Sequence, residues 1–358
     1  MRYYIDVIKT TKNNAAKKAP ADISKICDEI GMKALKMPDI PYEKSVLFQK
    51  IWMVTTWSRH LLKISFKLKK NDILLFQHPL YGTQFLRILI PKLKKKGVKL
   101  IALIHDLNII RNDSENKNTN KSSICIQDNQ ILKQFDKIIC HNKKMEKFLI
   151  EQGFEADDLI SLDIFDYLCD IKENISSSKD DIIKCTIAGN LLPEKSAYIY
   201  KLTKLLADDK TIKLSLFGNG YNEELATNSD SLEYCGSVSP ELLPSIINAD
   251  YGIVWDGEEC YTCTGHTGEY LRFNNPHKTS LYLASGVPVI IWQEAAMADF
   301  IKQNNIGITI NDLRQLSAAV NSISREDYLI IKNNVKEIQE KLTHGYYFKK
   351  AFEKAVSE

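Results

Sequence analysis

Short apolar segments alternate with longer amphipathic segments through most of the chain, and this alternation constrains the fold more than any other feature. The longer segments carry apolar residues three and four positions apart, which is typical of helices. The pattern as a whole is typical of parallel strands whose sheet is covered by helices. It predicts strands at 3–8, 72–77, 99–105 and 137–140 in the first half, and at 182–188, 213–217, 231–235, 252–255, 287–291 and 307–310 in the second half.

The chain is long enough for two such α/β units. It has 358 residues, and one domain usually takes about 100–200. The polar segment 172–181 separates the two runs of strands, and a second polar stretch at 111–123 predicts a loop after a strand. We therefore expect a first Rossmann-like domain over 1–170, a linker over 171–181, a second Rossmann-like domain over 182–344, and a C-terminal helix over 345–358 that can pack back on the first domain.

The two halves carry charge of opposite sign. Residues 1–166 contain 29 Lys and Arg against 19 Asp and Glu, whereas residues 167–358 contain 19 against 26. A basic half is typical of proteins that contact phosphate groups or the anionic inner leaflet of a membrane. The lysine clusters at 67–70 and 92–96 are equally consistent with solvated helix faces.

Composition and cysteine spacing exclude several classes of protein. With 44% hydrophobic and 26% charged residues, the chain is not collagenous, mucin-like or wholly disordered. No apolar run approaches the roughly 18 residues that cross a bilayer, and no signal peptide is predicted. The eight cysteines include one CxxC pair, Cys260 and Cys263, which even with His266 nearby is weaker than a zinc motif. We expect reduced thiols and a cytoplasmic location.

The residues that follow the second-half strands are candidate ligands, because paired Rossmann-like domains bind molecules at the carboxyl ends of their strands. Gly189 and Asn190 end a strand where backbone amides can approach an anion, and Lys195 can add a positive charge. The alternative is that Gly189 only forms a tight turn. The GNG segment at 218–220 lacks the GxGxxG spacing, which disfavours a nicotinamide site and thus a Rossmann oxidoreductase.

A second candidate anion site lies in the segment 270–291, YLRFNNPHKTSLYLASGVPVII. Pro276 suits the first turn of a helix, so the amides of His277, Lys278 and Thr279 can point at a phosphate. The Lys278 side chain adds a full positive charge. The segment therefore predicts a diphosphate site at a helix N-terminus.

These residues resemble a motif of a bacterial GT-B glycosyltransferase family. The similarity is carried by 275–278 (NPHK), 280–284 (SLYLA) and 286–290 (GVPVI). Weaker similarities lie at 73–79, 103–106, 135–141, 188–190 and 254–256. The family contains β-1,6-galactofuranosyltransferases of surface polysaccharide synthesis and β-1,3-glucosyltransferases that extend glycans on streptococcal serine-rich adhesins. The resemblance implies an α/β GT-B fold, in which two Rossmann-like domains face each other across a cleft.

The resemblance also implies which residues bind the nucleotide. These residues are Gly189, Asn190, Lys195, Phe217, Gly218, Asn275, His277, Lys278 and Ser280. Among them, Lys278 binds the diphosphate and Lys195 supplies a second cation, although the spacing after Asn190 differs slightly from the family pattern. Phe217 and Gly218 lie beside the base. The loop after Trp255 lies near the donor sugar.

Transfer of a sugar from a nucleoside diphosphate needs charge stabilisation for the leaving group and a base for the acceptor hydroxyl. The second half supplies the charge stabilisation for the leaving group, and it contains no convincing DxD metal motif. This predicts metal independence. His105 and Asp106 follow a first-half strand, and either can accept a proton. The alternative is that they cap the following helix. His78 is a second candidate base, and the loop at 10–18 is the expected acceptor loop.

We therefore expect a glycosyltransferase that uses a UDP-sugar, carrying galactofuranose or glucose, and a lipid-linked or protein-linked glycan acceptor. Inversion is implied by the resemblance alone. We expect no cofactor, no metal and no nucleic acid partner. We do expect homo-oligomerisation and contact with the anionic inner face of the cell membrane. The alternative is a catalytically silent partner subunit that binds nucleotide or glycan and supports a true transferase.

Overall fold

The structure is a computed structural model. It describes residues 1–8, 17–41, 43–79, 83–107, 129–170, 182–227 and 230–358. Three sequence predictions fall wholly or mainly outside these residues: the loop at 111–123, the linker at 171–181, and most of the acceptor loop, including Asn13 and Asn14.

The first half contains a six-stranded parallel sheet. Its strands are β1 Arg2–Ile8, β2 Lys33–Pro38, β3 Ile73–His78, β4 Lys99–Ile104, β5 Lys137–Cys140 and β6 Leu159–Ser161. They lie in the order β2-β1-β3-β4-β5-β6. The four predicted strands are present, whereas β2 and β6 were not predicted. Both lie at the edges of the sheet, where β2 exposes Lys33 and Lys36 and β6 has three residues, so neither forms a continuous apolar run.

Helices cover both faces of this sheet. They are α1 Lys18–Glu29, α2 Val46–Trp52, α3 Ser58–Lys67, α4 Thr83–Lys95 and α5 Lys143–Glu151, and the π-helical turn Met53–Trp57 joins α2 to α3. The α1 residues Ile23 and Ile26 belong to one hydrophobic core, whereas Leu61 of α3, Leu86 of α4 and Met145 of α5 belong to another. The parallel strands are therefore buried on both sides, as their apolar sequences require.

The second half contains another six-stranded parallel sheet. Its strands are β7 Ile183–Asn190, β8 Ile212–Asn219, β9 Leu232–Tyr234, β10 Tyr251–Val254, β11 Val289–Trp292 and β12 Gly307–Ile310. All six were predicted, and they lie in the order β12-β11-β10-β7-β8-β9. Strands β8 and β9 are added on one side of β7, whereas β10, β11 and β12 are added on the other side, so the strand order reverses between β7 and β10. Doubly wound sheets bind ligands at such a switch point.

The remaining helices belong to the second half and its C-terminal extension. They are α6 Pro193–Leu205, α7 Leu243–Ile246, α8 Gly265–Tyr270, α9 His277–Ala284, α10 Ala298–Asn304, α11 Leu316–Asn321, α12 Arg325–Thr343 and α13 Tyr346–Ser357. In the described part of the chain, no helix combines the length and the apolar character that a bilayer crossing requires.

Helix α13 packs against the first half, where it contacts α1, β5 and β6. Arg2 forms an ion pair with Glu353 of this helix. Asp166, which is 2% exposed, accepts hydrogen bonds from the main-chain N–H groups of Tyr347 (3.1 Å) and Phe348 (2.7 Å). A carboxyl group here satisfies amides that the first turn of a helix leaves unpaired. Burial nevertheless raises the pKa of Asp166 to about 7.

The segment that leaves β6 joins the two halves through buried polar contacts. The main-chain N–H of Tyr167 donates to the Leu342 oxygen of α12 (3.1 Å). Lys18 and Asp22, both almost fully buried, form an ion pair at 2.5 Å. The main chain of Leu168 completes this pair, since its oxygen accepts from Lys18 and its N–H donates to Asp22. Buried charges are tolerated when they are paired and hydrogen-bonded in this way.

Gly345 provides a test of the packing between the C-terminal helices and α1. It joins α12 to α13 with φ +71°, and a Cβ there would lie 2.7 Å from Ile26 Cγ1. We expect Gly345→Ala to lower the free energy of unfolding by roughly 2–4 kcal/mol in urea denaturation, because it combines backbone strain with overpacking.

Gly31→Ala is the matched control. Gly31 has φ +75°, and its Cβ would meet nothing within 4 Å among the described residues. Only the left-handed backbone then contributes, at about 1–2 kcal/mol. Equal losses in the two variants would contradict the close approach of Gly345 to α1.

Candidate active site

The carboxyl ends of β7 and β8 bring four of the predicted nucleotide-binding residues together. The two strands pair through Gly189 with Gly218 and through Asn190 with Asn219, and Phe217 pairs one position earlier. Strand β10 lies on the other side of β7. These residues therefore line the switch point of the second sheet, where a ligand is expected.

Gly218 makes this close approach of the strand ends feasible. Gly189 and Gly218 have φ +150° and +145°. A Cβ at Gly218 would lie 1.7 Å from the Gly189 oxygen, whereas a Cβ at Gly189 would meet nothing within 4 Å among the described residues. The Asn190 side-chain oxygen accepts from the Leu192 N–H at 2.9 Å and fixes the turn. The turn at Gly189 thus presents backbone without an obstructing side chain.

Lys278 lies at the same switch point. It occupies the first turn of α9, and its Nζ donates to the Trp255 oxygen and to Asp256 Oδ1, both at 2.9 Å. Trp255 and Asp256 directly follow β10, and the lysine side chain is 16% exposed. An ammonium group has three N–H donors, so one remains after these two bonds. The structure therefore holds a cation in a fixed position at the edge of the crevice.

Lys195 lies in the first turn of α6, directly after the Gly189 turn, and is partly buried. The helix is kinked at Ser196, where φ is −133° and ψ is 41°. The Ser196 hydroxyl donates to the Asn190 oxygen at 2.8 Å and joins the helix start to the turn. Lys195 is therefore near the predicted diphosphate site, and its contact with the diphosphate stays a prediction.

Asn275 connects the two halves. It is 4% exposed, and its side-chain nitrogen donates to the oxygens of His141 (2.6 Å) and Asp163 (3.1 Å). Its side-chain oxygen accepts from the Asn142 amide at 2.7 Å, and its main-chain N–H donates to His141 Nδ1 at 2.9 Å. The side chain is thus fully engaged with the first half, so a direct contact with nucleotide would require these bonds to break.

Ser280 and His277 also face the connection between the halves. Ser280 is 1% exposed and donates to the Phe165 oxygen at 2.7 Å. The His277 ring stacks on Tyr167 with centroids 5.0 Å apart. Burial, with a smaller contribution from the Lys18 charge, lowers the pKa of His277 to about 3. The imidazole is therefore neutral near pH 7 and brings no positive charge to a diphosphate.

His105, one of the two candidate bases, is held by a side chain that the sequence did not single out. Its Nε2 lies 2.7 Å from Gln77 Oε1, and its ring stacks on Phe165 with centroids 5.3 Å apart. The Gln77 amide nitrogen donates to the Pro20 oxygen and to the Ser24 hydroxyl, both at 3.3 Å, which directs its oxygen towards the imidazole. Because an amide oxygen only accepts, we assign the proton of the neutral ring to Nε2 and the lone pair to Nδ1.

Asp106, the other candidate base, contacts the second half. Its Oδ1 accepts from the Tyr270 hydroxyl at 3.3 Å, and the same hydroxyl accepts from the Leu107 N–H at 3.1 Å. Tyr270 ends α8, which lies in the loop region predicted near the donor sugar. The predicted pair is therefore at the junction of the two halves, where a base between donor and acceptor must lie.

His78, the weaker candidate base, is buried. Both ring nitrogens are without a hydrogen-bond partner among the described residues, and its side chain is 2% exposed. Burial lowers its pKa to about 4. A ring with this pKa is a weak proton acceptor near pH 7.

A group of three tyrosine rings, which we call the tyrosine stack, is a feature that the sequence did not predict. The Tyr200 and Tyr221 rings are stacked with centroids 6.0 Å apart, and the Tyr234 ring lies 4.6 Å from Tyr221 at a tilt of 31°. The Tyr234 hydroxyl donates to the Gly218 oxygen at 2.9 Å. Nucleobases stack on aromatic rings, and this stack lies beside the position that the family resemblance assigns to the base.

The CxxC cysteines lie between β10 and α8. Cys260 and Cys263 are buried, and Cys260 donates to the Tyr198 oxygen at 3.4 Å. Burial raises the pKa of Cys260 to about 12 and raises that of Cys263 as well. Within the described ranges, no three His, Cys, Asp or Glu side chains are grouped as a metal site would require.

Comparison with known proteins places both halves in the same group. Residues 2–164 match the model of the glucosyltransferase 3-like N-terminal domain, and residues 185–355 match the C-terminal domain. The chain is 30% identical over 359 residues to the β-1,6-galactofuranosyltransferase WbbI of Escherichia coli (strain K12), covering 99% of this chain and 98% of the relative. It is 25% identical over 344 residues to glucosyltransferase 3 of Streptococcus gordonii, covering 95% and 93%.

Solved structures of low sequence identity share the fold. The lipopolysaccharide outer core galactosyltransferase WaaB in its apo form has a TM-score of 0.59 at 13% identity, covering 100% of this chain and 99% of that one. The catalytic domain of starch synthase IV from Arabidopsis thaliana, bound to ADP and acarbose, has a TM-score of 0.59 at 10% identity, covering 99% of each. These likenesses confirm the predicted GT-B fold.

Ser280→Ala separates the structural role of this residue from nucleotide binding. Because the variant removes one buried hydrogen bond to Phe165, we expect it to lower the free energy of unfolding by about 1 kcal/mol. The dissociation constant for UDP, measured by titration calorimetry, should change less than about twofold, since the hydroxyl is already bound within the protein. Weaker UDP binding with unchanged stability would instead show that Ser280 contacts the nucleotide.

Proposed function

The chain belongs to the glucosyltransferase 3-like family of glycosyltransferases, as its resemblance predicted, and we propose that it transfers galactofuranose or glucose from a UDP-sugar to a hydroxyl of a glycan acceptor. The acceptor is lipid-linked or protein-linked and belongs to cell-surface polysaccharide or glycoprotein synthesis. The observation that carries the proposal is the position of Lys278 beside Asp256 at the switch point of the second sheet. A fixed cation at this place suits a departing diphosphate.

The proposed donor site uses the groups that meet at the ends of β7 and β10. The diphosphate lies between the Gly189 turn and the start of α9, where Lys278 and the helix amides offset its charge. Lys195 adds a second cation from α6. The uracil lies beside Gly218 and the tyrosine stack. The cations of the chain take the place of a metal ion in this mechanism.

The proposed reaction is a single displacement with inversion at the anomeric carbon. The acceptor oxygen forms a bond to C1 of the donor sugar while the bond from C1 to the diphosphate oxygen breaks. The electron pair of that bond leaves with UDP, and the acceptor proton passes to a base of the first half. His105 suits this role because Gln77 and Phe165 hold its imidazole in place at the junction of the two halves, next to Asp106.

The proposal also covers where the enzyme works and what it assembles with. We infer a cytoplasmic enzyme that makes peripheral contact with the anionic inner face of the cell membrane and forms a homo-oligomer. The charge of the first half supports the membrane contact, since residues 1–166 carry ten more basic than acidic residues. Donor and acceptor are then both available on the cytoplasmic side.

Lys278→Ala tests the donor site. We expect kcat for transfer or donor hydrolysis to fall by about tenfold or more, because the developing charge on the diphosphate loses its cation. Lys278→Arg should recover part of this loss. Lys349→Ala is the matched control, since Lys349 also pairs with a carboxylate, Glu29 at 3.0 Å, but lies on α13. Product formation with UDP-galactofuranose and UDP-glucose measures the effect.

Two results would contradict the donor-site proposal. The first is equal activity of the Lys278→Ala and Lys349→Ala variants. The second is an absence of turnover with every UDP-sugar, together with no UDP-induced rise in melting temperature. A chain that gave the second result but still assisted a separate transferase would be the silent partner subunit instead.

The pH profile distinguishes the two candidate bases. If His105 is the base, kcat/KM falls along an acid limb, because the protonated imidazole can no longer accept the acceptor proton. Gln77→Glu should move this limb to higher pH, because a carboxylate beside the ring favours its protonated form. His105→Ala should lower kcat by roughly 10²-fold or more, whereas Asp106→Asn should keep the limb. The reverse pattern, with the limb lost only in Asp106→Asn, would assign the base to Asp106.

A further inference from the structure

Helices α2, α3 and α4 expose a row of large apolar side chains on the first half. We define the outer stripe as Leu47, Phe48, Ile51, Val54, Leu62, Phe66 and Ile88, which are between 46% and 77% exposed. Most of its members on α2 and α3 are three, four or eight positions apart, so they follow one side of the continuous helix. Contiguous exposed apolar surface of this kind marks an interaction site in soluble proteins.

The outer stripe is not required to attach these helices to the sheet. A separate row, Trp57, Leu61, Ile64 and Leu68, is at most 6% exposed and belongs to the hydrophobic core on that face of the sheet. The Trp57 indole also donates to the Pro38 oxygen at the end of β2. Helix α3 therefore has two apolar sides, and one of them remains uncovered by the described residues.

Positive charges predominate around the outer stripe. Segments 44–71 and 83–97 together contain 12 Lys and Arg and no Asp or Glu. Eleven of these cations have described side chains, and all eleven are exposed. Carboxylates flank these segments: the exposed Glu43 precedes the first, Asp72 follows it and binds the N-terminal ammonium at 2.7 Å, and Asp136 pairs with Lys94 at 2.9 Å. The outer stripe is thus framed by an excess of positive charge.

We propose that the outer stripe and these cations form a docking surface for a bilayer that contains anionic lipids. Apolar side chains framed by lysine and arginine are typical of helices that lie in the membrane interface, and each cation near an anionic leaflet adds to binding. A second copy of the chain would bring two surfaces of the same charge together, which disfavours it as the occupant. This inference rests on the membrane contact of the proposed function and identifies the residues that make it.

The position of the surface relates it to the cleft. Helix α2 follows β2, which ends at Pro38, so the outer stripe begins near the carboxyl edge of the first sheet. The candidate base His105 follows β4 at the same edge. Docking through the outer stripe would therefore bring the acceptor side of the cleft close to the lipid surface, where a lipid-linked glycan is held.

Vesicle flotation of the full chain tests the docking surface. We expect the protein to float with phosphatidylcholine vesicles that contain phosphatidylglycerol, and not with phosphatidylcholine alone. The double variant Leu62→Ser/Phe66→Ser should lower the partition coefficient about tenfold or more. Arg59→Glu/Lys63→Glu should lower it at least about fivefold for each changed residue. Equal flotation of the unmodified chain with both vesicle types would overturn the proposal.

Matched controls use exposed residues of α12 in the second half. Leu329 and Ile330 are 50% and 51% exposed, and Lys336 and Lys341 are also exposed. Leu329→Ser/Ile330→Ser and Lys336→Glu/Lys341→Glu should float like the unmodified chain, and an equal loss in these controls would contradict a specific surface. The surface would belong to a second copy instead if Leu62→Ser/Phe66→Ser dissociated an oligomer in sedimentation equilibrium and left flotation unchanged.

Donor hydrolysis without vesicles keeps this test separate from the test of the proposed function. The Leu62→Ser/Phe66→Ser variant should hydrolyse the UDP-sugar at the rate of the unmodified chain, because its changes lie outside the donor site. An active chain that does not float overturns the docking surface alone. A chain that floats but turns over no UDP-sugar overturns the enzyme proposal alone.

Discussion

The start of α9 is the constraint on which the rest of the molecule depends, because it serves both halves at once. Lys278 points to the end of β10 and binds Asp256, whereas Asn275 and Ser280 bind the first half. The proposed diphosphate site and the connection between the halves are therefore built from one short segment. The side-chain amide and the main-chain N–H of Asn275 all have partners in the first half, and a satisfied buried polar network of this kind favours one arrangement of the connection. The position of the cation is thus fixed relative to both sheets.

Buried charges reinforce the same junction from the other side. The Lys18–Asp22 pair binds the main chain of the segment after β6, and Asp166 accepts hydrogen bonds from the first turn of α13. The pKa of Asp166 is raised to about 7 by burial, from an ordinary value of 3.8. Its contribution to stability is therefore fully present below pH 3.8 and is lost as the pH rises towards 7, because ionisation of a buried carboxyl is costly. The hydrogen bonds from Tyr347 and Phe348 limit this cost.

The sequence was sufficient for the features that depend on local chemistry. Ten of the twelve strands follow from apolar runs, and the two that do not, β2 and β6, are edge strands. The Gly189 turn and the lysine at the start of α9 were also predictable, since glycine freedom and helix termini are local properties. The family resemblance added the GT-B arrangement of the two halves.

The contacts that complete the candidate site were not predictable, because their partners are distant in sequence. Gln77 binds His105 across two strands, and Tyr270 reaches Asp106 from the other half. Gln77 left a weak signal as a polar residue that follows an apolar run in β3, whereas Tyr270 left none. The motif likewise predicts that Asn275 and Ser280 bind the nucleotide, which stays a prediction, and it gave no sign of their hydrogen bonds to the first half.

The fold determines which face of the first sheet carries the lysine clusters of the first half. One face of the first sheet, covered by α1 and α13, shares its core with the second half. The opposite face carries α3 and α4, with the lysine clusters at 67–70 and 92–96 and the outer stripe. Solvation of a helix face explains why its lysines are exposed. It does not explain why Leu62 and Phe66 are exposed among them, because large apolar side chains are not stabilised by contact with water. The combination of the two on one face is what favours a membrane surface over simple solvation.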